Sequence, residues 1–152
     1  MMTVASCAAT GIATHVGRGY GHNTTDARLL AITETARSHL GKPYVYAGSG
    51  KRGFDCSGFV RAVYGTHGYT LPRTSRDQAR TGTRVEWSNI TAGDLLFFTD
   101  RPGSKRVNHV GIALDPHHMI HASTGRHRIV IDPLDMDYYR RRLFAVRRIV
   151  GD

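Results

Sequence analysis

The stretch His109-Val110-Gly111-Ile112-Ala113-Leu114-Asp115-Pro116-His117-His118-Met119-Ile120-His121-Ala122 decides the fold. Its first six residues alternate. Val110, Ile112 and Leu114 point one way, as a core face, and His109, Gly111 and Ala113 point the other. Asp115-Pro116 marks a turn. Met119–Ala122 resumes the extended pattern beyond it, so the stretch predicts a β-hairpin. Leu95–Phe98, Ile129–Asp132 and Leu143–Ile149 are further strand candidates on either side.

Upstream of the strands the apolar period is helical. Asp26 predicts the cap of a helix running to about Leu40, with Gly41 as its stop and Pro43 confirming the break. Gly48, Gly50 and Gly53 make residues 42–54 a loop. Asp55 precedes a second helix, in which Phe59, Val60 and Val63 share a face and Gly68 ends the run. Ser75 with Gln78 predicts a capping box on a short helix that closes at Gly82. Helices first and strands after argue for an α+β domain, with the N-terminal helices packed on one face of an antiparallel β-sheet. Residues 1–25 are small, polar and glycine-interrupted. They read as a flexible tail, which leaves 26–152 as one domain, expected to be monomeric.

The 152 residues include 40% apolar side chains, enough for an ordinary core and too many for a disordered chain. No run approaches the roughly 18 apolar residues of a membrane helix. Lys plus Arg number 21 against 12 Asp plus Glu, a net charge of +9. That balance favours an anionic partner: nucleic acid, acidic lipid or an anionic wall polymer. Of the 21 cations 18 are Arg. This suits carboxylate or phosphate recognition, and a general Arg bias gives the same count. Two cysteines, Cys7 and Cys56, exclude a disulfide framework and a four-cysteine zinc site.

Cys56 falls at the first turn of the second helix. Unpaired N–H groups and the positive end of the helix dipole favour a thiolate there. A thiolate nucleophile needs a proton acceptor, ordinarily a neutral imidazole. His109 and His121 are symmetric about Asp115. A hairpin loop of odd length centred on Asp115 makes them direct cross-strand partners, and an even loop puts them on opposite faces. The Gly111–Ala113 face is small enough for a helix start to dock against it. Cys56, His109 and His121 thus form a candidate nucleophile, base and orienting group. The backbone N–H of Cys56 is a candidate oxyanion donor. An activated thiolate would be alkylated quickly at pH 6–7. Each residue also has a plain reading, as a buried apolar cysteine or a satisfied strand histidine. His109, His117, His118 and His121 raise a metal site as a rival, but His117 and His118 fall in the turn and no carboxylate completes a zinc triad.

Six stretches together resemble the NlpC/p60 family of bacterial cell-wall cysteine peptidases. They are Gly41-Lys42-Pro43-Tyr44-Val45-Tyr46, Gly53-Phe54-Asp55-Cys56-Ser57-Gly58-Phe59-Val60, Leu71-Pro72-Arg73, Ala92-Gly93-Asp94-Leu95, His109-Val110-Gly111-Ile112 and His121-Ala122-Ser123-Thr124. The resemblance covers about residues 27–150. It implies a compact papain-like α+β fold and hydrolysis of an amide bond in peptidoglycan stem peptides, with no metal or other cofactor. It implies Cys56 as nucleophile, His109 as base and His121 as the third polar member. It sets Tyr44 near the nucleophile and Asp55 and Ser57 beside the pocket, although both flanking residues also read as helix caps. Arg52 is a candidate partner for a stem carboxylate, against its reading as a solvated loop charge. Ala47-Gly48 stands where many members have Gly-Gly, so Ala47 is strained if that position needs φ > 0. Asn108 stands where glycine is common.

The resemblance places the protein in the bacterial cell envelope, in the periplasm or on the outer surface. Val4-Ala5-Ser6-Cys7 is similar to a lipoprotein cleavage box, so lipidation of Cys7 is one route to a membrane anchor, although only three residues precede the box. With a wall polymer as the anionic partner, nucleic acid is not expected. Two other classes stay open. One is a basic module that binds wall polymer or nucleic acid without catalysis; the other is an acyltransferase that passes the same thioester to an amine or alcohol. The scissile bond is either D-glutamyl-diaminopimelate or D-alanyl-diaminopimelate.

Overall fold

The computed structural model describes residues 22–151, with the backbone alone for 22–26. Cys7 and its cleavage-box match lie outside them. The chain runs α1 (His22–Arg37), α2 (Cys56–Thr66), α3 (Ser75–Gln78), β1 (Thr83–Val85), β2 (Leu95–Thr99), β3 (Val107–Ala113), β4 (His118–Ser123), β5 (Arg128–Pro133), α4 (Asp137–Arg140) and β6 (Leu143–Arg148). The six strands form one sheet in the order β1-β6-β2-β3-β4-β5, and every pairing is antiparallel. The α+β class read from the sequence is the one found.

The helices α1 and α2 lie on one face of the sheet. Phe59, Val60, Val63 and Tyr64 of α2 join Ile32 and Ala36 of α1 against Phe97, Val110, Ile112, Ile120 and Ala122. The opposite face is also buried. Leu96, Phe98, Ala113, Met119 and Val146 pack there against Leu134 and Tyr139. Burial on both faces explains why β2 holds an unbroken apolar run, Leu95–Phe98, rather than an alternating one.

Several local expectations change. α1 begins at His22, a turn before Asp26. No glycine or proline lies between Gly21 and Asp26 to stop the helix extending back. It ends at Arg37, and tighter turns carry the chain to Gly41, whose φ is +81°. The short helix α3 is capped by Thr74, not Ser75. Thr74 Oγ1 accepts from Asp77 N at 3.2 Å and donates to Asp77 Oδ2 at 2.8 Å. Gln78 is left to bond elsewhere. Its Nε2 donates to the carbonyls of Ser57 and Pro72, tying α3 to the first turn of α2. Arg147 and Arg148 of β6 are tied inward. Arg147 Nε donates to Ala79 O at 2.7 Å, and Arg148 Nε meets Asp94 Oδ1 at 2.8 Å.

The hairpin loop is odd, as the paired histidines require, but centred one residue later. Leu114 N donates to His118 O, so the loop is Asp115-Pro116-His117. Ile112 pairs with Ile120 and Ala113 with Met119. His109 and His121 therefore keep a common face but stand diagonally, two residues out of direct opposition. The docking face also changes. α2 packs on the Val110–Ile112 face, because large apolar side chains bury more area than small ones. Gly111 instead makes room for the next strand: a Cβ there would lie 2.9 Å from Met119 Sδ and 3.3 Å from His121 Cβ.

Candidate active site

Asp55 sets the first turn of α2. Its Oδ1 accepts from Gly58 N at 2.7 Å, an N-cap that fixes where the helix starts and so where Cys56 stands. The same carboxylate takes two bonds from Arg73, Nη1 to Oδ1 at 3.1 Å and Nη2 to Oδ2 at 2.7 Å. Arg73 also reaches Ser57 Oγ and the carbonyl of Gly48. One guanidinium thus braces the helix start and the preceding loop together. Contact with Asp55 holds the Arg73 guanidinium firmly protonated.

Cys56 lines a cleft of about 430 Å³ with Tyr44, Tyr46, Ala47, Asp55, Ser57, Arg73, Thr74, Ser75 and Asn108. Tyr44, Asp55 and Ser57 are therefore beside the sulfur. Burial, and then the proximity of Cys56 and Asp55, pushes the Tyr44 phenol up. Arg52 is exposed and is not among these lining residues, whereas Arg73 is. The next residue, Gly53, packs closely on the loop backbone: a Cβ there would lie 2.3 Å from Pro43 O. Ala47 has φ +56°, the strained geometry expected if this position requires a left-handed backbone.

Burial dominates the Cys56 thiol and pushes it up, with Asp55 adding to the rise. The N–H groups of Val110, Ser57 and Cys56 pull the other way. The helix start does favour the thiolate, but burial outweighs it in the unliganded protein. Sγ donates to Asn108 O at 3.9 Å. Asn108 is the extra residue of a β-bulge: Phe98 pairs with His109, and Thr99 with Val107. The bulge turns the start of β3 toward α2 and places His109 next along the chain from the carbonyl on which the sulfur rests. Among the described residues no hydrogen bond joins Sγ to His109.

His109 and His121 are joined directly. His109 Nε2 lies 2.8 Å from His121 Nδ1, with the rings nearly perpendicular. Burial, and then the neighbouring His121, pushes His109 down to about 3. It is therefore a neutral imidazole at physiological pH. Behind the pair lies a group that the sequence reading missed. His121 is 2% exposed, and its Nε2 stands 2.9 Å from Asp132 Oδ2. Tyr139 donates its hydroxyl to the same oxygen at 2.6 Å, and Arg126 Nη2 stands 2.7 Å from Asp132 Oδ1. A second groove, of about 460 Å³, opens on this side and is lined by His109, His121, Arg126, Asp132, Met136 and Tyr138. His117 stays in the turn and His118 opens β4, and the Asp115 carboxylate accepts the backbone N–H groups of both.

A thiol at a helix start, a neutral imidazole on the adjoining strand and a second imidazole bonded to the first can perform nucleophilic acyl transfer. Comparison with known proteins bears on that chemistry. The NlpC/P60 family profile matches residues 41–148. The chain is 37% identical over 117 residues to a γ-D-glutamyl-L-lysine dipeptidyl-peptidase of Bacillus cereus, covering 77% of this chain and 35% of that protein. It is 34% identical over 122 residues to the probable endopeptidase NlpC of Escherichia coli, covering 80% and 78% respectively. Among solved structures it superposes on the peptidoglycan hydrolase RipB of Mycobacterium tuberculosis with a TM-score of 0.74 and 26% identity, covering 86% of this chain and 69% of that one. The chain thus spans only about a third of the Bacillus cereus relative's length. With the profile matched across the whole sheet and the cysteine-bearing helix, the chain belongs to the NlpC/P60 family.

Proposed function

We propose that this protein is a cysteine peptidase of the bacterial cell envelope that hydrolyses an amide bond in peptidoglycan stem peptides. The observation that carries this reading is the 2.8 Å contact between His109 Nε2 and His121 Nδ1, beside the bulge carbonyl that holds the Cys56 sulfur. Cys56 is the nucleophile, His109 the base and His121 the group that orients His109. As a stem peptide enters the cleft, the thiol turns from Asn108 O and gives its proton to His109 Nδ1. Apo contacts of this kind are often looser than those in the reacting complex. Sγ attacks the carbonyl carbon, and the N–H groups at the start of α2 face the developing oxyanion. His109 returns the proton to the leaving amine, which departs. Water then attacks the thioester, with its proton passing through His109, and releases a carboxylate and the free thiol.

The bond proposed is the γ-D-glutamyl linkage to a diamino acid, lysine or diaminopimelate. It is favoured over D-alanyl-diaminopimelate because the Bacillus cereus relative is named for γ-D-glutamyl-L-lysine. Tyr44, Asp55 and Ser57 line the pocket for the stem, and Arg73, not Arg52, is the arginine within the cleft that a stem carboxylate would meet. The test is mass spectrometry of muropeptides released from purified peptidoglycan. The wild type should release stems cut after D-glutamate. Cys56→Ala should release none while keeping its circular dichroism spectrum. Release by that variant at the wild-type rate would overturn the mechanism.

A further inference from the structure

We infer that Asp132 is a positioning residue that sets the protons of the histidine pair: it keeps His121 protonated at Nε2 and so leaves His109 Nδ1 as the bare, proton-accepting nitrogen. The inference rests on the reading of His109 as the base, and goes beyond it to the group that prepares the base.

A neutral imidazole has one N–H and one bare nitrogen. Across the 2.8 Å contact between His109 Nε2 and His121 Nδ1, one nitrogen must donate and the other accept. If His121 donated from Nδ1, its Nε2 would be bare and would face Asp132 Oδ2 at 2.9 Å. Two acceptors would then be pressed together in a buried site. The one hydroxyl nearby, that of Tyr139, already donates to Oδ2 at 2.6 Å and lies farther from His121 Nε2, at 3.3 Å. Asp132 cannot supply the proton itself. The His121 contact, working against burial, and then Tyr139 and Arg126 hold its carboxyl down to about 2. It is a carboxylate, with Arg126 Nη2 on Oδ1 at 2.7 Å. With His121 as a neutral ring, it therefore donates Nε2–H to Asp132 and accepts at Nδ1. His109 must donate Nε2–H to His121, and its lone pair is left at Nδ1. When His109 takes the thiol proton, the nearby Asp132 charge also favours the cation that results.

The groups facing this relay are the two histidines, Asp132, Tyr139 and Arg126. The geometry dictates what Asp132→Asn would do. The amide oxygen would turn to the Arg126 guanidinium, and the amide nitrogen would face His121. As a donor it would bond a bare Nε2, move the His121 proton to Nδ1 and push the His109 proton to Nδ1, which blocks the base.

The deciding experiment is a long-range ¹H–¹⁵N correlation spectrum of the histidine rings in the full chain near pH 7, which needs no substrate. The wild type should show both His109 and His121 protonated at Nε2 and bare at Nδ1. Asp132→Asn should move the His109 proton to Nδ1 and lower kcat for stem cleavage about 10²- to 10⁴-fold, the range associated with a positioned acid–base group, with KM unchanged. Protonation of either ring at Nδ1 in the wild type overturns the inference, and the wild-type spectrum decides alone if the variant does not fold. So does an Asp132→Asn variant with the wild-type spectrum and kcat. A shifted tautomer with unchanged cleavage supports the role of Asp132 and instead overturns the reading of His109 as base.

Discussion

Burial acts in opposite directions on the two groups between which the proton is proposed to move. It raises the Cys56 thiol from its ordinary value near 9.0 and lowers His109 from 6.5 to about 3. Both shifts favour the uncharged forms, so the resting pair is a neutral thiol beside a neutral imidazole. Alkylation of Cys56 by iodoacetamide should therefore climb with pH through and beyond the ordinary thiol range. A plateau already reached at pH 6–7, as the helix start alone suggested, would mean a resting ion pair and sink this account. The histidine carries a second consequence. Its folded value lies below its unfolded one, so the unfolded chain binds the proton first as pH falls. The stability this group contributes is complete above about 6.5 and drains away toward about 3, at up to about 1.4 kcal/mol per pH unit. Urea midpoints should fall between pH 7 and pH 5, and His109→Gln should flatten that slope. An equal slope in the variant would place the acid sensitivity elsewhere.

At the scale of elements, the start of α2 and the loop before it form one unit, and glycine holds them together. A Cβ on Gly58 would lie 2.2 Å from Gly48 O and 2.8 Å from Asp55 Oδ1. Alanine gains about 1 kcal/mol of helix propensity over glycine, but here it collides with backbone that cannot swing away. Gly58→Ala should cost about 1–3 kcal/mol in urea unfolding, as overpacking does, and lower kcat by displacing Cys56. At Ala47 the sign is opposite. With φ +56°, Ala47→Gly should relieve strain of about 1–2 kcal/mol and give back part of it to chain entropy. A rise in the urea midpoint checks it; a fall would mean that the methyl packs usefully. What the sequence disclosed about this region follows from range. Asp55 caps its own helix, so the place of Cys56 was legible. The histidine parity was legible because strand period is two. The centre of the hairpin was not, because it depends on the Asp115 carboxylate accepting from His117 N and His118 N, which the Asp-Pro pair does not specify. Nor was the bulge at Asn108, which reflects sheet geometry. Asp132 left a faint signal. It is a carboxylate in the apolar strand Ile129–Asp132, and in register it stands two residues from Val130, the partner of His121. Tyr139 left none, since its place depends on how α4 returns across the sheet.

For the molecule as a whole, the question is where the +9 charge resides. Among the described residues five arginines meet carboxylates: Arg73 with Asp55, Arg126 with Asp132 and Arg148 with Asp94 inside the domain, and Arg84 with Glu86 and Arg101 with Asp100 nearer the surface. Each pair cancels itself, so the whole excess remains on the other side chains. Arg140 and Arg141 are among the exposed ones, beyond the second groove. A charge spread in this way acts at a distance, over about 30 Å in 0.01 M salt and about 8 Å in 0.15 M. It would gather the protein onto a wall carrying anionic polymer without altering the chemistry in the cleft. Two measurements should therefore separate. Co-sedimentation with intact walls should weaken steeply as salt rises, and should weaken at low salt when the anionic polymers are stripped away. Cleavage of a short soluble stem peptide should change little over the same range, because its reacting groups are buried and poorly screened. Retention indifferent to both salt and stripping would mean that the cleft alone does the binding. The basic excess would then have no part in finding the substrate.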